Sequence, residues 1–333
     1  MSHCRRVHLW ILASAFLVVG GCGRRNDNPS LVRLSVTSAA AMAYLPVYAA
    51  GPAGCFAKEG IEVRLDETSG AAKSMQALVG GSVDVAASDY LTLLNVASQG
   101  QPLREFVLLQ KIPGFVAIVS PKASRPIRSF QELKGRTVGV NARGNAYHRL
   151  FNHILQVHGV NPDEVSVVGV GTGMSLAVSM ERGVVDAGLV GPLGLSYLQQ
   201  RYPALTILFD TRTPESTKVV VGTDEIAWYI LCAREDWLRA NPQTARRLAS
   251  AILCALAWVQ GHTPQQIRGI LPDSSRSPDA KSDFDAIDVA RSALSLDGRM
   301  TPGAHNAAVR FLTAPGATKL KSQEPYTNEF LKP

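Results

Sequence analysis

Apolar and polar positions follow two regular patterns along the first two thirds of the chain, and the patterns repeat. Residues 45–50 and 55–59 carry helix formers, and Gly60 stands where a helix C-terminal glycine belongs. Residues 61–65 (Ile-Glu-Val-Arg-Leu) alternate with period two, as a half-buried strand does. Thr68, Ser69 and Gly70 open a helix over 71–79, Gly80 and Gly81 close it, and 83–87 is a short apolar strand. The same plan returns about a hundred residues later: strand 137–140, loop 142–145, helix 146–158 ending at Gly159, strand 165–170, loop 171–173, helix 174–181, strand 184–190. The turn before the last strand matches in both copies, Gly81-x-x-Asp84 and Gly183-x-x-Asp186. Two βαβαβ halves predict an α/β protein of two similar lobes. Ligands of such sheets bind outside the carboxyl ends of the strands, so facing lobes make a cleft.

Around these halves the pattern predicts strands at 31–36, 107–109, 115–119 and 205–209. The strand at 115–119 crosses to lobe two, and the apolar run 226–233 returns to lobe one, which places Trp228 and Tyr229 near the hinge. Helices at 234–240, 242–260 and 286–295 carry apolar stripes expected to pack on lobe one. Lobe one is thus read as 31–117 with 225–333, and lobe two as 118–224. Residues 273–282 read as a surface loop, and the Gly-, Pro- and Lys-rich stretch after Phe311 as a loosely held tail.

Composition adds bounds. The 333 residues, 46% hydrophobic and 18% charged, suffice for two lobes with a sizeable core. The net charge of +7 lacks the clustered basic stripe of a nucleic-acid binder. Arg5 and Arg6 precede an apolar run over 7–19, too short to span a bilayer comfortably but laid out as a signal peptide. Val19-Gly20-Gly21-Cys22 resembles a bacterial lipobox, which implies a signal peptide at 1–21, acylation of Cys22 and a polar tether at 22–30. An ordinary secretory signal cut near Cys22, or a twin-arginine signal, is the alternative. With Cys4 removed and Cys22 lipidated, Cys55, Cys232 and Cys254 remain and allow at most one disulfide. Cys232 and Cys254 read as buried small hydrophobes. No cysteine pair has metal-ligand spacing, and His148, His153 and His158 are scattered around their helix at five-residue steps, so no metal is expected.

Five segments, Pro46-x-Tyr48-x-Ala50, Phe56-Ala-Lys-Glu-Gly60, Ala77-Leu-x-x-Gly-x-x-Asp84, Leu133-Lys-Gly135-x-x-Val-Gly139 and Gly183-x-x-Asp186, occur in an order that resembles a known family. It is that of the periplasmic solute-binding proteins of the sulfonate/nitrate/taurine transporters and their thiamine-pyrimidine-type relatives. The resemblance covers roughly residues 33–242. It implies the two-lobed periplasmic-binding-protein type II fold, and ligand contacts first in the segment 37–44, which holds Ser38 and Tyr44. Ser69 and Gly70 stand at a helix N-terminus whose free N–H groups suit an anion, though a plain cap would look the same. Ser88 and Asp89 end a strand. Asp89 is either a helix cap or, facing the cleft, a partner for a ligand amine. In lobe two, Asn141, Arg143 and Asn145 form the counterpart loop, with Arg143 either clamping an oxyanion or lying solvated. Thr172 and Gly173 sit at a strand end where backbone approaches ligand, and Trp228 walls the cleft or packs in the core.

The expectation is therefore a lipid-anchored extracytoplasmic binding protein, monomeric and without cofactor. It would deliver a small organic anion or zwitterion, sulfonate- or taurine-like, to the permease and ATPase subunits of an ABC importer. The alternatives are a heteroaromatic, pyrimidine-like ligand or a sensor feeding a signalling partner. The fold also includes pyrimidine-forming enzymes, whose activity the resemblance ties to a cysteine-rich iron-binding stretch absent here. No G-x-S-x-G elbow, phosphate loop or complete G-x-G-x-x-G occurs either, so no enzyme is expected.

Overall fold

The computed structural model describes residues 31–37, 42–171, 173–273, 276–310 and 324–332. The signal peptide, Cys22 and the tether lie outside the described residues, as do Ser38, Thr172 and the stretch after Arg310 up to 323. The chain begins with β1 (Leu31–Thr37), a 3-10 turn (Met42–Tyr44), α1 (Leu45–Ala50), α2 (Cys55–Lys58), β2 (Glu62–Thr68), α3 (Ala71–Val79), β3 (Val85–Asp89), α4 (Tyr90–Ser98) and β4 (Leu103–Gln110). Next come β5 (Val116–Val119), β6 (Thr137–Val140), α5 (Ala146–Val157), β7 (Ser166–Gly169), α6 (Met174–Glu181), β8 (Ala187–Val190), α7 (Pro192–Arg201), β9 (Ile207–Asp210) and α8 (Pro214–Val221). β10 (Tyr229–Arg234), α9 (Glu235–Ala240), α10 (Pro242–Gly261), α11 (Pro264–Ile270), α12 (Ala280–Ala293) and α13 (Pro302–Arg310) complete it.

Two five-stranded sheets result, ordered β2-β1-β3-β10-β4 and β7-β6-β8-β5-β9. In each, the first three strands are parallel and the fourth is antiparallel to the third. The fourth strands, β5 and β10, are the ones that follow the two crossings, so each lobe borrows the strand that joins it to the other. The repeated Gly-x-x-Asp turn has one job in both lobes. Asp84 accepts from the Arg33 backbone N–H at 2.9 Å and from its guanidinium at 2.7 Å, and Asp186 accepts from Thr137 N at 3.1 Å and Ser124 Oγ at 3.0 Å. Each carboxylate pins the start of the central strand to the turn before the third. Those bonds hold both carboxyls below their usual pKa against the opposing effect of burial.

The core of lobe one lies between its sheet and α1, α10 and α12. The buried stripe of α10 runs through Leu248, Ile252, Leu256 and Val259, each contributing about 1.5–3 kcal/mol on burial. In lobe two, α6 seats against its sheet where glycine lets it. A Cβ on Gly139 would stand 2.7 Å from Leu176 Cδ1, and one on Gly188 would stand 2.8 Å from Met180 Sδ. These two glycines are register partners on β6 and β8, so the close approach of α6 is written into the sheet.

Three placements differ from the sequence reading. Cys254 is not a free packing thiol, because it forms a disulfide with Cys55 that ties α2 to α10, and among the described residues only Cys232 remains free, and it is buried. α12 starts at Ala280, inside the stretch read as loop, because Asp279 caps it by accepting from Lys281 N and Ser282 N. It also packs on lobe two as well as on lobe one: Ser196 Oγ on α7 donates to Asp285 at 2.8 Å, and Gln200 Nε2 donates to Asp279 and reaches Ser282 Oγ, both at 2.9 Å. Finally, part of the C-terminus is docked. Tyr326 bridges in parallel to Glu105 on β4, and Phe330 and Leu331 enter the lobe-one core.

Candidate functional site

The strands of both sheets end at the seam between the lobes, and the turns that follow them enclose a cavity of about 90 Å³. Lobe one supplies Met42 and Ala43 from the turn after β1, Gln110 from the end of β4, Tyr229 from the start of β10, and Ala290 and Ala293 from α12. Lobe two supplies Asn141 after β6, Tyr147 from the first turn of α5, Gly173 and Leu176 from α6, and Gly191 to Gly194 from α7.

Lobe two thus turns the N-termini of α6 and α7 toward the cavity. Gly173 and Gly191 occupy their N-cap positions, and neither side makes a side-chain cap. No side chain caps the first-turn N–H groups of these helices (Pro192, first in α7, has none), and both dipoles favour negative charge there. Gly194 allows the two ends to meet, since a Cβ on it would stand 3.2 Å from the Gly173 carbonyl oxygen. No described lining residue carries a formal charge at neutral pH. The described residues contain no His, Cys, Asp and Glu group able to hold a metal.

An aromatic wall joins the lobes behind the cavity. The Tyr147 and Tyr229 hydroxyls are hydrogen-bonded at 2.9 Å. Whichever accepts keeps its own O–H to donate. Burial pushes both phenols above their usual pKa, so they are neutral donors. Trp228 packs on Phe115 and edge-on to Tyr147, 1% exposed, and is not among the lining residues. Tyr44, also 1% exposed, packs edge-on to Tyr229 at 5.1 Å.

Of the residues singled out from sequence, Asn141 and Gly173 line the cavity. Asp89 caps α4, accepting from Thr92 N and Thr92 Oγ1 at 2.7 Å each; burial raises its pKa while those bonds pull it down. Asn145 caps α5 through His148 N at 3.0 Å. Arg143 and Ser69 are exposed and Gly70 half-buried, none of them in the lining, and Ser88 is fully buried with its hydroxyl unpaired. Gln110 and Tyr147 were not singled out. Gln110 had a readable signal, a polar residue closing an apolar strand just before the crossing at Pro113 and Gly114, where ligands of such sheets bind. Ala290 and Ala293 had none, being small residues of a distant helix.

Comparison with known proteins agrees with this frame. The family model described as NMT1/THI5 like matches residues 42–266. A protein of known structure from Bordetella bronchiseptica RB50 is 30% identical, with a TM-score of 0.79 over 90% of this chain and 95% of that one. The periplasmic aliphatic sulphonate binding protein SsuA from Escherichia coli is 15% identical and shares the fold, with a TM-score of 0.67 over 85% of this chain and 90% of that one. A 4-amino-5-hydroxymethyl-2-methylpyrimidine phosphate synthase of Uromyces fabae is 24% identical over 63% of this chain and 61% of its own length. The chain spans about two thirds or less of the curated relatives it matches, 66% and 61% for two of them. With the match covering more than half of the sequence and two like sheets closing on one cavity, the chain belongs to the NMT1/THI5-like family and has the periplasmic-binding-protein fold.

Proposed function

We propose that this chain is the lipid-anchored, extracytoplasmic binding component of an ABC importer, and that it carries a small organic anion between its lobes to a membrane permease and its ATPase. The observation that carries the reading is the convergence of the α6 and α7 N-termini on a cavity shared by both lobes. Contacts from both lobes give the closed form its higher affinity, the condition for ligand-driven closure. The anion is held by backbone N–H groups, Asn141 and a tyrosine hydroxyl, with Arg143 left outside. Anchoring rests on the lipobox-like Val19-Gly20-Gly21-Cys22, and the disulfide suits an oxidising compartment.

We read the chain as a binder and not an enzyme. Among the described lining residues only the two tyrosines titrate, and burial keeps both hydroxyls protonated at neutral pH, so neither is a nucleophile or base. A heteroaromatic ligand is the second reading, favoured by the tyrosine rings and by the carboxamides of Gln110 and Asn141.

The test is a thermal-shift panel of sulfonates, carboxylates, nitrate and pyrimidines on the purified chain. A ligand at a thousand times its Kd adds about 4 kcal/mol. An anion hit that survives Arg143→Ala supports the reading. A hit lost in that variant, or hits confined to pyrimidines, would overturn the assignment of the anion to the helix ends.

A further inference from the structure

Gln110 is the one side chain in the described cavity wall that is deeply buried, polar and without a partner. It ends β4 with 4% of its surface exposed. Its backbone is engaged, the carbonyl accepting from Trp228 N at 3.1 Å. No hydrogen bond to its carboxamide is formed by any described residue. Its Oε1 lies 3.9 Å from where a Cβ on Gly114 would stand, and Gly114 is itself part of the wall. Buried amides are ordinarily paired, and one left unpaired beside a cavity is suited to a partner that arrives with the ligand.

Across the cleft the helix ends of lobe two take the acid group. Resting on that reading of the cavity, we propose that Gln110 is a specificity-determining residue of lobe one, and that it receives an uncharged hydrogen-bonding group at the far end of the ligand. The ligand class is then a small organic acid with a hydroxyl or carboxamide tail, and not a zwitterion. An ammonium tail would shed water and find no carboxylate among the described residues of the wall. Asp89, on the far side of β10 from Gln110, has both oxygens taken by Thr92. A neutral tail donates to Gln110 Oε1 or accepts from Nε2 with no charge to desolvate.

Three sulfonates that differ only at the tail separate these cases: isethionate (hydroxyl), ethanesulfonate (methyl) and taurine (ammonium). Their carboxylate counterparts are 3-hydroxypropionate, propionate and β-alanine. Binding is measured by calorimetry on the full-length chain in detergent. The hydroxyl member should bind about tenfold tighter than the methyl member, and the ammonium member weaker than either. Gln110→Leu should erase the difference between hydroxyl and methyl. Gln110→Glu should reverse the order in favour of the ammonium, and this arm decides if the leucine variant fails to fold. Tight binding of taurine or β-alanine to the natural chain would overturn the proposal and leave the anion reading standing, as would an unchanged hydroxyl-to-methyl ratio in Gln110→Leu. Silence from all members with either head group overturns the anion reading, and the proposal with it.

Discussion

Removing the bond between Cys55 and Cys254 tests what holds lobe one together. The bridge spans 199 residues of sequence, so in the unfolded chain it closes a loop that contains every strand of the second sheet. The chain-entropy relation assigns such a loop about 5 kcal/mol at 25 °C, and measured bridges commonly deliver about 2–4 kcal/mol. In the folded state little is lost, because α1 and α10 pack on each other, with Val47, Leu248 and Ile252 in one buried cluster, whether or not the sulfurs are joined. The double variant Cys55→Ala/Cys254→Ala should therefore fold and be less stable by about 2–5 kcal/mol. Urea unfolding followed by tryptophan fluorescence reads this, and melting should fall by roughly 5–15 °C. Thiol titration is the companion assay. Cys232 is 0% exposed, so the chain processed and acylated as proposed should show no reactive thiol when native, one when denatured without reductant, and three after reduction. Three thiols in the unreduced denatured chain, or an unmoved unfolding midpoint, would refute the reasoning.

Two further outcomes follow from polar groups away from the cavity. Glu105 is fully buried with neither carboxyl oxygen paired, and burial pushes its pKa well above the usual carboxylate range. Stability is then complete below the ordinary carboxyl range and lost as pH rises toward the folded-state value, by up to about 1.4 kcal/mol per pH unit. Glu105→Gln should match the natural chain near pH 4 and exceed it increasingly above pH 5 in urea titrations; parallel curves would sink the idea. The second concerns closure. Ser196 and Gln200 hold α7 to α12 outside the cavity, so the pair Ser196→Ala/Gln200→Ala should weaken ligand affinity about fivefold by favouring the open form. Calorimetry reads the affinity and solution scattering the shape, and unaltered values in both would refute it.

Much of the frame was legible in the chain. The repeated strand-helix-strand pattern and the paired Gly-x-x-Asp turns announced two like lobes, because a half-buried strand must alternate and an amphipathic helix must show its stripe. The crossings were legible too, since β5 is apolar along its whole length and β10 as far as Ala233, as strands buried on both faces are. Asp89 could be seen as a cap, but its sequence is equally that of a ligand contact, and Asn145 read as a ligand-loop residue alone. Only the folded chain shows that Thr92 and His148 take them.

What the sequence by itself determined is the class of the protein: two βαβαβ lobes with a cleft at their strand ends. The tertiary structure decided the site. It brought Ala290 and Ala293 to a cavity built mainly by residues more than sixty positions earlier, and it paired Cys55 with Cys254. It also left Arg143 in solvent while turning Gln110 inward. Local pattern reports the period of burial along one element. Which side chains meet across a seam depends on how distant elements pack, and no local period encodes that.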